Sequence, residues 1–152
     1  MVDAAGTRCK AFDTEFGAYG PVGFDLGMLL ANLLFAHARA SVLGRSEQER
    51  WLAGAPATAI AAFRDELIAL WPTRCDTRVS DAVLDSWLER AESQAVAFAG
   101  CEAIRRVVGF AKVSDLETLE GVQHVDAATA VLTVARRLLT DPPEKVGADL
   151  FA

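Results

Sequence analysis

The sequence of 152 residues has few basic side chains and few cysteines, and both shortages exclude classes of protein. Lysine and arginine number 15 against 21 aspartates and glutamates, which gives a net charge of −6. Nucleic-acid-binding proteins need a basic patch or stripe, so this balance argues against nucleic acid as a partner. The three cysteines are widely and irregularly spaced, without a CxxC pair, which argues against a disulfide framework and a zinc site.

The sequence also lacks an apolar run long enough for a membrane. Its longest apolar segment, residues 26–40, is interrupted by Gly27, Asn32, His37 and Arg39. A membrane span needs about 20 mostly apolar residues. The opening MVDAAGTRCK has no apolar stretch typical of a signal peptide. We therefore expect a soluble, cytoplasmic protein with reduced cysteines and no membrane partner.

The residues that are abundant favour a globular, mainly α-helical chain. Hydrophobic residues make up 52% and charged residues 24%, a composition that can bury a core. Apolar residues recur at helical spacing in five segments. The predicted helices span residues 25–43, 55–70, 81–98, 103–113 and 125–139.

Several residues predict where these helices begin and end. Asp25 is suited to cap the first helix, because its side chain can accept from the free N–H groups of the first turn. Gly44 is a plausible C-cap, and Ser46 with Glu49 three residues later resembles a capping box. Gly100 is predicted to break the helical pattern between residues 98 and 103.

The two ends of the chain are predicted to be less regular. Residues 1–8 and 141–152 are expected to be loose, and Cys9–Phe12 is a short strand candidate. A lone strand leaves its backbone groups unpaired, and the chain has no convincing second strand. The sequence therefore predicts a single partial domain, one piece of a larger fold.

Two acidic residues follow the strand candidate directly. If the strand continues, Asp13 and Glu15 lie two residues apart and point to the same side. Two carboxylates held together repel unless a cation intervenes, and Mg²⁺ binds through one or two carboxylates plus water and phosphate oxygens. The spacing alone leaves two interpretations open: a magnesium site, or a chance pair on a surface strand.

The surrounding residues resemble those of 5-methylthioribose kinases. The segment DTEFGAYGPVGFDLGMLLANLLFA is similar to that family's D-P-E-F-x-F-Y-G-P-M-G-F-D-I-G followed by an apolar helix with Ala-Asn-Leu. About 90 residues downstream, FAGCEAIRRVVGFAKVSDLETLE is similar to its C-terminal helix with paired arginines. This resemblance implies the helical C-terminal lobe of a protein-kinase-like fold, of the aminoglycoside-phosphotransferase and choline-kinase-like branch, with a short N-terminal strand.

The resemblance also implies roles for particular residues. Asp13 and Glu15 match the family's metal ligands for Mg²⁺, which acts with ATP, and Asp25 matches an aspartate that supports the catalytic loop. Arg105 and Arg106 match the paired arginines that contact the sugar, methylthioribose. An arginine pair can equally be a solvated face, because neighbours on a helix point about 100° apart.

Parts of the family's active site have no counterpart in this chain. It contains no glycine-rich phosphate loop and no H-G-D catalytic loop, and Thr14 replaces the usual proline. The resemblance therefore implies a C-terminal portion that is inactive alone and catalyses no step by itself. The partner is expected to be a second copy or a missing N-terminal part. The alternatives are a degenerate remnant that binds a partner and an unrelated helical interaction module.

Overall fold

The structure, a computed structural model, describes residues 19–151, and this part of the chain is built from helices alone. The elements are α1 (Gly23–Val42), α2 (Ser46–Leu70), a 3-10 turn (Trp71–Thr73), α3 (Ala82–Val108), α4 (Ser114–Glu117) and α5 (Gly121–Thr140). The mainly α fold class, a helical lobe, is confirmed. The strand candidate Cys9–Phe12 lies outside the described residues. None of the helices from residue 19 to 151 combines the length and the apolar character that crossing a membrane requires.

The core lies between α1, α3 and α5. Each of these helices presents one face of small and aliphatic residues to the other two, as the spacing of apolar residues predicts. The largest fully buried side chains of this core are Phe35, Leu30, Leu34, Leu138, Leu150 and Val131.

Glycines allow α1 and α3 to pack closely and in parallel. A Cβ on Gly23 would lie 2.5 Å from the Ala91 oxygen, and one on Gly27 would lie 2.5 Å from the Phe98 Cβ and 2.8 Å from the Ala95 oxygen. Contacts this short are not tolerated, so both positions require glycine as long as the helices keep this separation. The partner residues advance along α3 as the glycines advance along α1, so the two helices run in the same direction.

Gly100 does not break a helix. The predicted helices 81–98 and 103–113 are wrong as separate elements, because α3 is continuous through Gly100 and ends at Val108. A Cβ on Gly100 would lie 2.8 Å from the Leu139 Cγ and 3.0 Å from the Ala135 oxygen. The glycine therefore makes room for α5, and this packing outweighs its helix-propensity cost of about 1 kcal/mol.

Two of the predicted caps are also absent. Helix α1 begins at Gly23, and Asp25 lies in its first turn without making a side-chain capping bond. An acid there still interacts favourably with the positive end of the helix dipole. The capping box of Ser46 and Glu49 is wrong as well: α2 begins at Ser46 after Arg45, and no side chain caps it.

The turn between α1 and α2 follows the prediction at Gly44. Gly44 has a φ of 65°, the left-handed conformation that glycine adopts readily. Its N–H donates to the Ser41 oxygen, and the Arg45 N–H donates to the Ala40 oxygen. This is the bonding pattern of a Schellman cap, so the predicted C-cap is confirmed.

Helices α2 and α5 begin earlier than predicted. Helix α2 starts at residue 46 rather than 55 and carries Pro56 in its interior, where the proline is buried. Helix α5 starts at Gly121 rather than residue 125. Proline inside a helix removes one backbone hydrogen bond, and α2 nevertheless continues through Pro56.

The tail after α5 packs against the core and is not loose. Leu150 is 1% exposed and Phe151 is 6% exposed. The Arg137 guanidinium donates to the Leu150 oxygen at 2.6 Å, and the Val146 N–H donates to Glu92 Oε1 at 2.7 Å. The buried side chains of the last described residues and these two hydrogen bonds hold the tail against the core, although its composition is that of a loop.

Helix α2 packs mainly on α1 and stands away from α3. Only Leu52, Pro56 and Ile60 of its 25 residues are buried. A cavity of about 450 Å³ separates α2 from α3 and the tail. The ion pair across it, Arg64 to Glu92, is long at 3.8 Å.

Candidate functional site

The residues predicted to form the site are only partly described by the structure. Asp13 and Glu15 lie outside residues 19–151. Asp25 is exposed in the first turn of α1, and Arg105 and Arg106 lie in the last turn of α3. The arginine pair is therefore the part of the predicted site that can be built from its surroundings.

The structure does not bring Asp25 next to the arginine pair. Asp25 lies between Gly23 and Gly27, which pack against α3 around Ala95. Arg105 is ten residues further along α3, which corresponds to roughly 15 Å at the helical rise of 1.5 Å per residue. A shared site would have to extend over about that distance.

Both arginines bind the same carboxylate. Arg105 donates from Nε to Glu102 Oε2 at 2.7 Å and from Nη2 to Oε1 at 2.8 Å. Arg106 donates from Nε to Glu102 Oε1 at 2.6 Å. Residues three and four apart are neighbours on a helix surface, so one glutamate can reach both arginines although their own side chains start about 100° apart. We call Glu102, Arg105 and Arg106 the arginine cluster.

The electrostatics of the arginine cluster depend on where its members lie. The Glu102 side chain is 5% exposed, whereas Arg105 is 52% and Arg106 33% exposed. Burial by itself raises the pKa of Glu102, but the hydrogen bonds and charges of Arg105 and Arg106 outweigh it and hold the pKa below its ordinary value. The bond to Glu102 in turn raises the pKa of Arg105.

The loop after α3 folds back over the helix end beside the arginine cluster. Arg106 Nη1 donates to the Lys112 oxygen at 3.3 Å, and the Lys112 ammonium donates to the Val107 oxygen. Gly109 permits this turn, since a Cβ there would lie 2.3 Å from the Arg105 oxygen. At the tip of the loop, Phe110 is fully exposed. The cluster is thus bordered by a fixed loop that presents an aromatic ring to solvent.

Sequence reasoning missed Glu102. The signal was present, because a glutamate three and four residues before two arginines predicts ion pairs on one helix face. Ion pairs of this kind usually lie in solvent and contribute little, so the pattern alone does not mark a functional residue. Burial distinguishes the ion pairs of Glu102 from such surface pairs. Within residues 19–151, Glu102 is the one buried polar or charged side chain.

The described residues contain no cluster of three or more potential metal ligands. No group of three or more His, Cys, Asp or Glu side chains between residues 19 and 151 is close enough to hold an ion. Asp13 and Glu15, the ligands that the resemblance implies for Mg²⁺, lie outside these residues. The predicted ligands Asp13 and Glu15 therefore stay a prediction.

Comparison with known proteins identifies what the chain is similar to. It is 36% identical over 97% of its length to the methylthioribose kinase of Geobacillus thermodenitrificans and 37% identical over 93% to that of Geobacillus kaustophilus. It is 31% identical over 95% to a methylthioribose kinase of Bacillus cereus. No family model matches the chain.

The resemblance to methylthioribose kinases is confirmed. The similarity extends over nearly the whole chain, including the segments between the two motifs that first indicated it. The chain spans only 37% of the length of the Geobacillus thermodenitrificans kinase. What the remaining length of a methylthioribose kinase supplies is therefore not part of this sequence.

Proposed function

We propose that this chain is the C-terminal portion of an S-methyl-5-thioribose kinase. The whole enzyme would transfer the γ-phosphate of ATP to the 1-hydroxyl of methylthioribose, a step of methionine salvage in the cytoplasm. Support comes from the similarity to methylthioribose kinases along 97% of the chain. The structural observation that carries the proposal is the pair of arginines held side by side on one carboxylate.

The arginines would bind the sugar. Guanidinium groups donate several hydrogen bonds in a fixed plane, and the hydroxyl oxygens of a sugar accept them. Both arginines are attached to one rigid helix, so their separation does not depend on a loop. Their positive charge would also favour negative charge that develops on a phosphoryl group during transfer.

The metal and the nucleotide would involve the other predicted residues. Asp13 and Glu15 would hold Mg²⁺, which would neutralise charge on the phosphates of ATP. Asp25 would support the backbone of a catalytic loop that comes from outside this sequence. Phosphoryl transfer depends on positioning the whole set of groups, so we propose that the isolated chain has no kinase activity.

A partner would complete the protein, either a missing N-terminal part or a second copy of the chain. Leu29 on α1 is 45% exposed and Trp51 on α2 is 69% exposed, and both line one surface depression between the two helices. Large apolar side chains exposed near one another favour association. Sedimentation of a clean monomer would contradict the second copy.

Kinase activity is tested by incubating the chain with ATP, Mg²⁺ and methylthioribose and following ADP. We expect no ADP above the background without protein. Steady turnover that an Asp13→Asn substitution abolishes would refute the proposed inactivity and support the metal role instead. An upstream reading frame that encodes a glycine-rich loop and an H-G-D segment would support the kinase, and unrelated upstream DNA would favour a degenerate remnant.

Sugar binding is tested separately by titrating methylthioribose into the labelled chain and following the amide signals of α3 by NMR. We expect shifts around the arginine cluster that Arg105→Lys and Arg106→Lys reduce. Arg90→Lys is the matched control, because Arg90 is an exposed arginine on the same helix. Shifts that are equal in all three variants would exclude the pair as the binding site.

A further inference from the structure

Glu102 is a buried charge without a role in the proposed chemistry. Moving a carboxylate out of water is costly unless the charge is paired and hydrogen-bonded. In the described part of the chain, the partners that meet this cost are Arg105 and Arg106, through three hydrogen bonds of 2.6 to 2.8 Å. Moving either guanidinium group away would leave the buried charge incompletely paired, so the ion pairs hold both arginines in place.

The same bonds restrict the arginines. A free arginine side chain samples many rotamers, and losing that freedom on binding a ligand lowers affinity. Here each guanidinium group is already held at two nitrogens. Nε and Nη2 of Arg105 donate to the Glu102 carboxylate, whereas Arg106 donates to it from Nε and to the Lys112 oxygen from Nη1. Among residues 19–151, Arg105 Nη1 and Arg106 Nη2 have no hydrogen-bond partner, so within this part of the chain they can donate to a ligand.

The carboxylate also sets the charge of the site. Two arginines and one glutamate carry a net charge of +1. The carboxylate thus removes one positive charge from this surface, where the ammonium of Lys112 in the adjoining loop also lies, and leaves fixed donors that suit a hydroxyl-rich molecule.

We propose that Glu102 is a positioning residue, whose buried carboxylate holds Arg105 and Arg106 together so that their remaining donors bind one ligand. This inference rests on the proposed sugar-binding role of the two arginines. Glu102 itself does not touch the ligand, because it lies beneath the guanidinium groups at 5% exposure while they are the exposed members of the cluster.

A purely structural role for Glu102 makes different predictions. If the ion pairs only stabilised the end of α3, removing them would lower the free energy of unfolding but leave the affinity of the folded protein unchanged. If Glu102 positions the arginines, the guanidinium groups lose their fixed geometry in a protein that is still folded. Two measurements on the folded chain separate these roles.

The first measurement follows the Nε–Hε signals of the arginines by NMR, assigned with Arg105→Lys and Arg106→Lys variants. In the unaltered chain we expect both signals to exchange slowly with water, because both Nε–H groups are bonded to a carboxylate. Glu102→Gln keeps the shape of the side chain but removes its charge, and should abolish or shift both signals. Glu89→Gln, an exposed glutamate on the same helix, is the control and should leave them unchanged.

The second measurement is the dissociation constant for methylthioribose, with circular dichroism used to confirm that each variant is folded. We expect Glu102→Gln to weaken binding about tenfold or more, since charge-assisted bonds are among the strong ones. Glu102→Asp keeps the charge on a shorter side chain and should recover part of that loss. Glu89→Gln should bind as the unaltered chain does.

The outcomes distinguish this proposal from the proposed function. Arginine signals that are neither lost nor shifted in Glu102→Gln would overturn the positioning role. An affinity that is unchanged in Glu102→Gln but weakened in Arg105→Lys would overturn it as well. If the signals depend on Glu102 but the unaltered chain binds no methylthioribose at millimolar concentration, the positioning of the arginines stands. In that case the ligand assigned to this chain under the proposed function is refuted.

Discussion

Two helical glycines in different surroundings give the sharpest test of the packing between α1 and α3. Gly27 lies in α1, where an added Cβ would be 2.5 Å from the Phe98 Cβ, 2.8 Å from the Ala95 oxygen and 3.1 Å from the Ala99 nitrogen. Gly54 lies inside α2, where an added Cβ would meet nothing within 4 Å. Alanine at these two positions should change the stability of the protein in opposite directions.

The magnitudes follow from two opposing effects. Replacing glycine by alanine inside a helix stabilises it by about 1 kcal/mol, and at Gly54 nothing opposes this gain. At Gly27 the close atoms belong to the backbone and the Cβ of α3, so they cannot rotate away and the helices must separate. Overpacking of this kind costs roughly 1–3 kcal/mol, and the short distances favour the upper end. Gly27→Ala should therefore destabilise by about 2 kcal/mol net.

The measurement is urea unfolding of both variants, followed by circular dichroism. The two free energies of unfolding should differ by about 3 kcal/mol, which corresponds to several degrees in Tm for a domain of this size. If Gly27→Ala proved as stable as Gly54→Ala, the close parallel packing of α1 on α3 would be refuted. A loss of stability in Gly54→Ala would instead contradict the open surroundings of α2.

Three further perturbations test other parts of the molecule. Phe35 is fully buried, so Phe35→Ala should lower the free energy of unfolding by about 3–5 kcal/mol in urea, and a loss below 1 kcal/mol would contradict its central place in the core. Gly44→Ala should cost about 1 kcal/mol in the same assay through its positive φ alone, since no atom obstructs the added methyl; a gain would exclude the left-handed cap. Burial lowers the pKa of His37, and the charge of Glu49 partly opposes this shift. At this group the folded protein therefore binds fewer protons than the unfolded chain. The free energy of unfolding should be at its full value above about pH 6.5 and fall as the pH drops below it. Urea unfolding at about pH 7.5 and pH 5.5 should show this loss in the unaltered chain and a smaller one in His37→Gln, whereas equal losses would exclude His37 as the cause.

The sequence predicted helix class and helix faces well, because apolar spacing reports directly on which side of a helix is buried. It was less successful wherever a residue's local preference opposed its packing. Gly100 and Pro56 both favour a helix boundary on their own, and both lie inside helices. Gly100 is explained by the approach of α5, a contact between residues far apart in the sequence that no local pattern contains.

At the candidate site, too, the sequence indicated what depends on local pattern and missed what depends on packing. The motif resemblance to methylthioribose kinases pointed to Arg105 and Arg106, and nearly the whole chain is similar to proteins of that name. Neither the motif nor the spacing indicated that Glu102 is buried beneath the pair. Burial depends on how α3 packs in three dimensions, whereas the sequence shows only that a glutamate stands three and four residues before two arginines.

The position of α2 has a consequence for how the protein opens. This helix buries only three of its 25 residues. Its side toward α3 borders a cavity, whereas α1, α3 and α5 pack directly on one another. Elements with few buried contacts detach in partial unfolding events that cost less free energy than global unfolding. The backbone amides of α2 should accordingly exchange with deuterium long before those of α1 and α3, so that native ensembles include a minor form in which the three-helix core is intact and α2 is released.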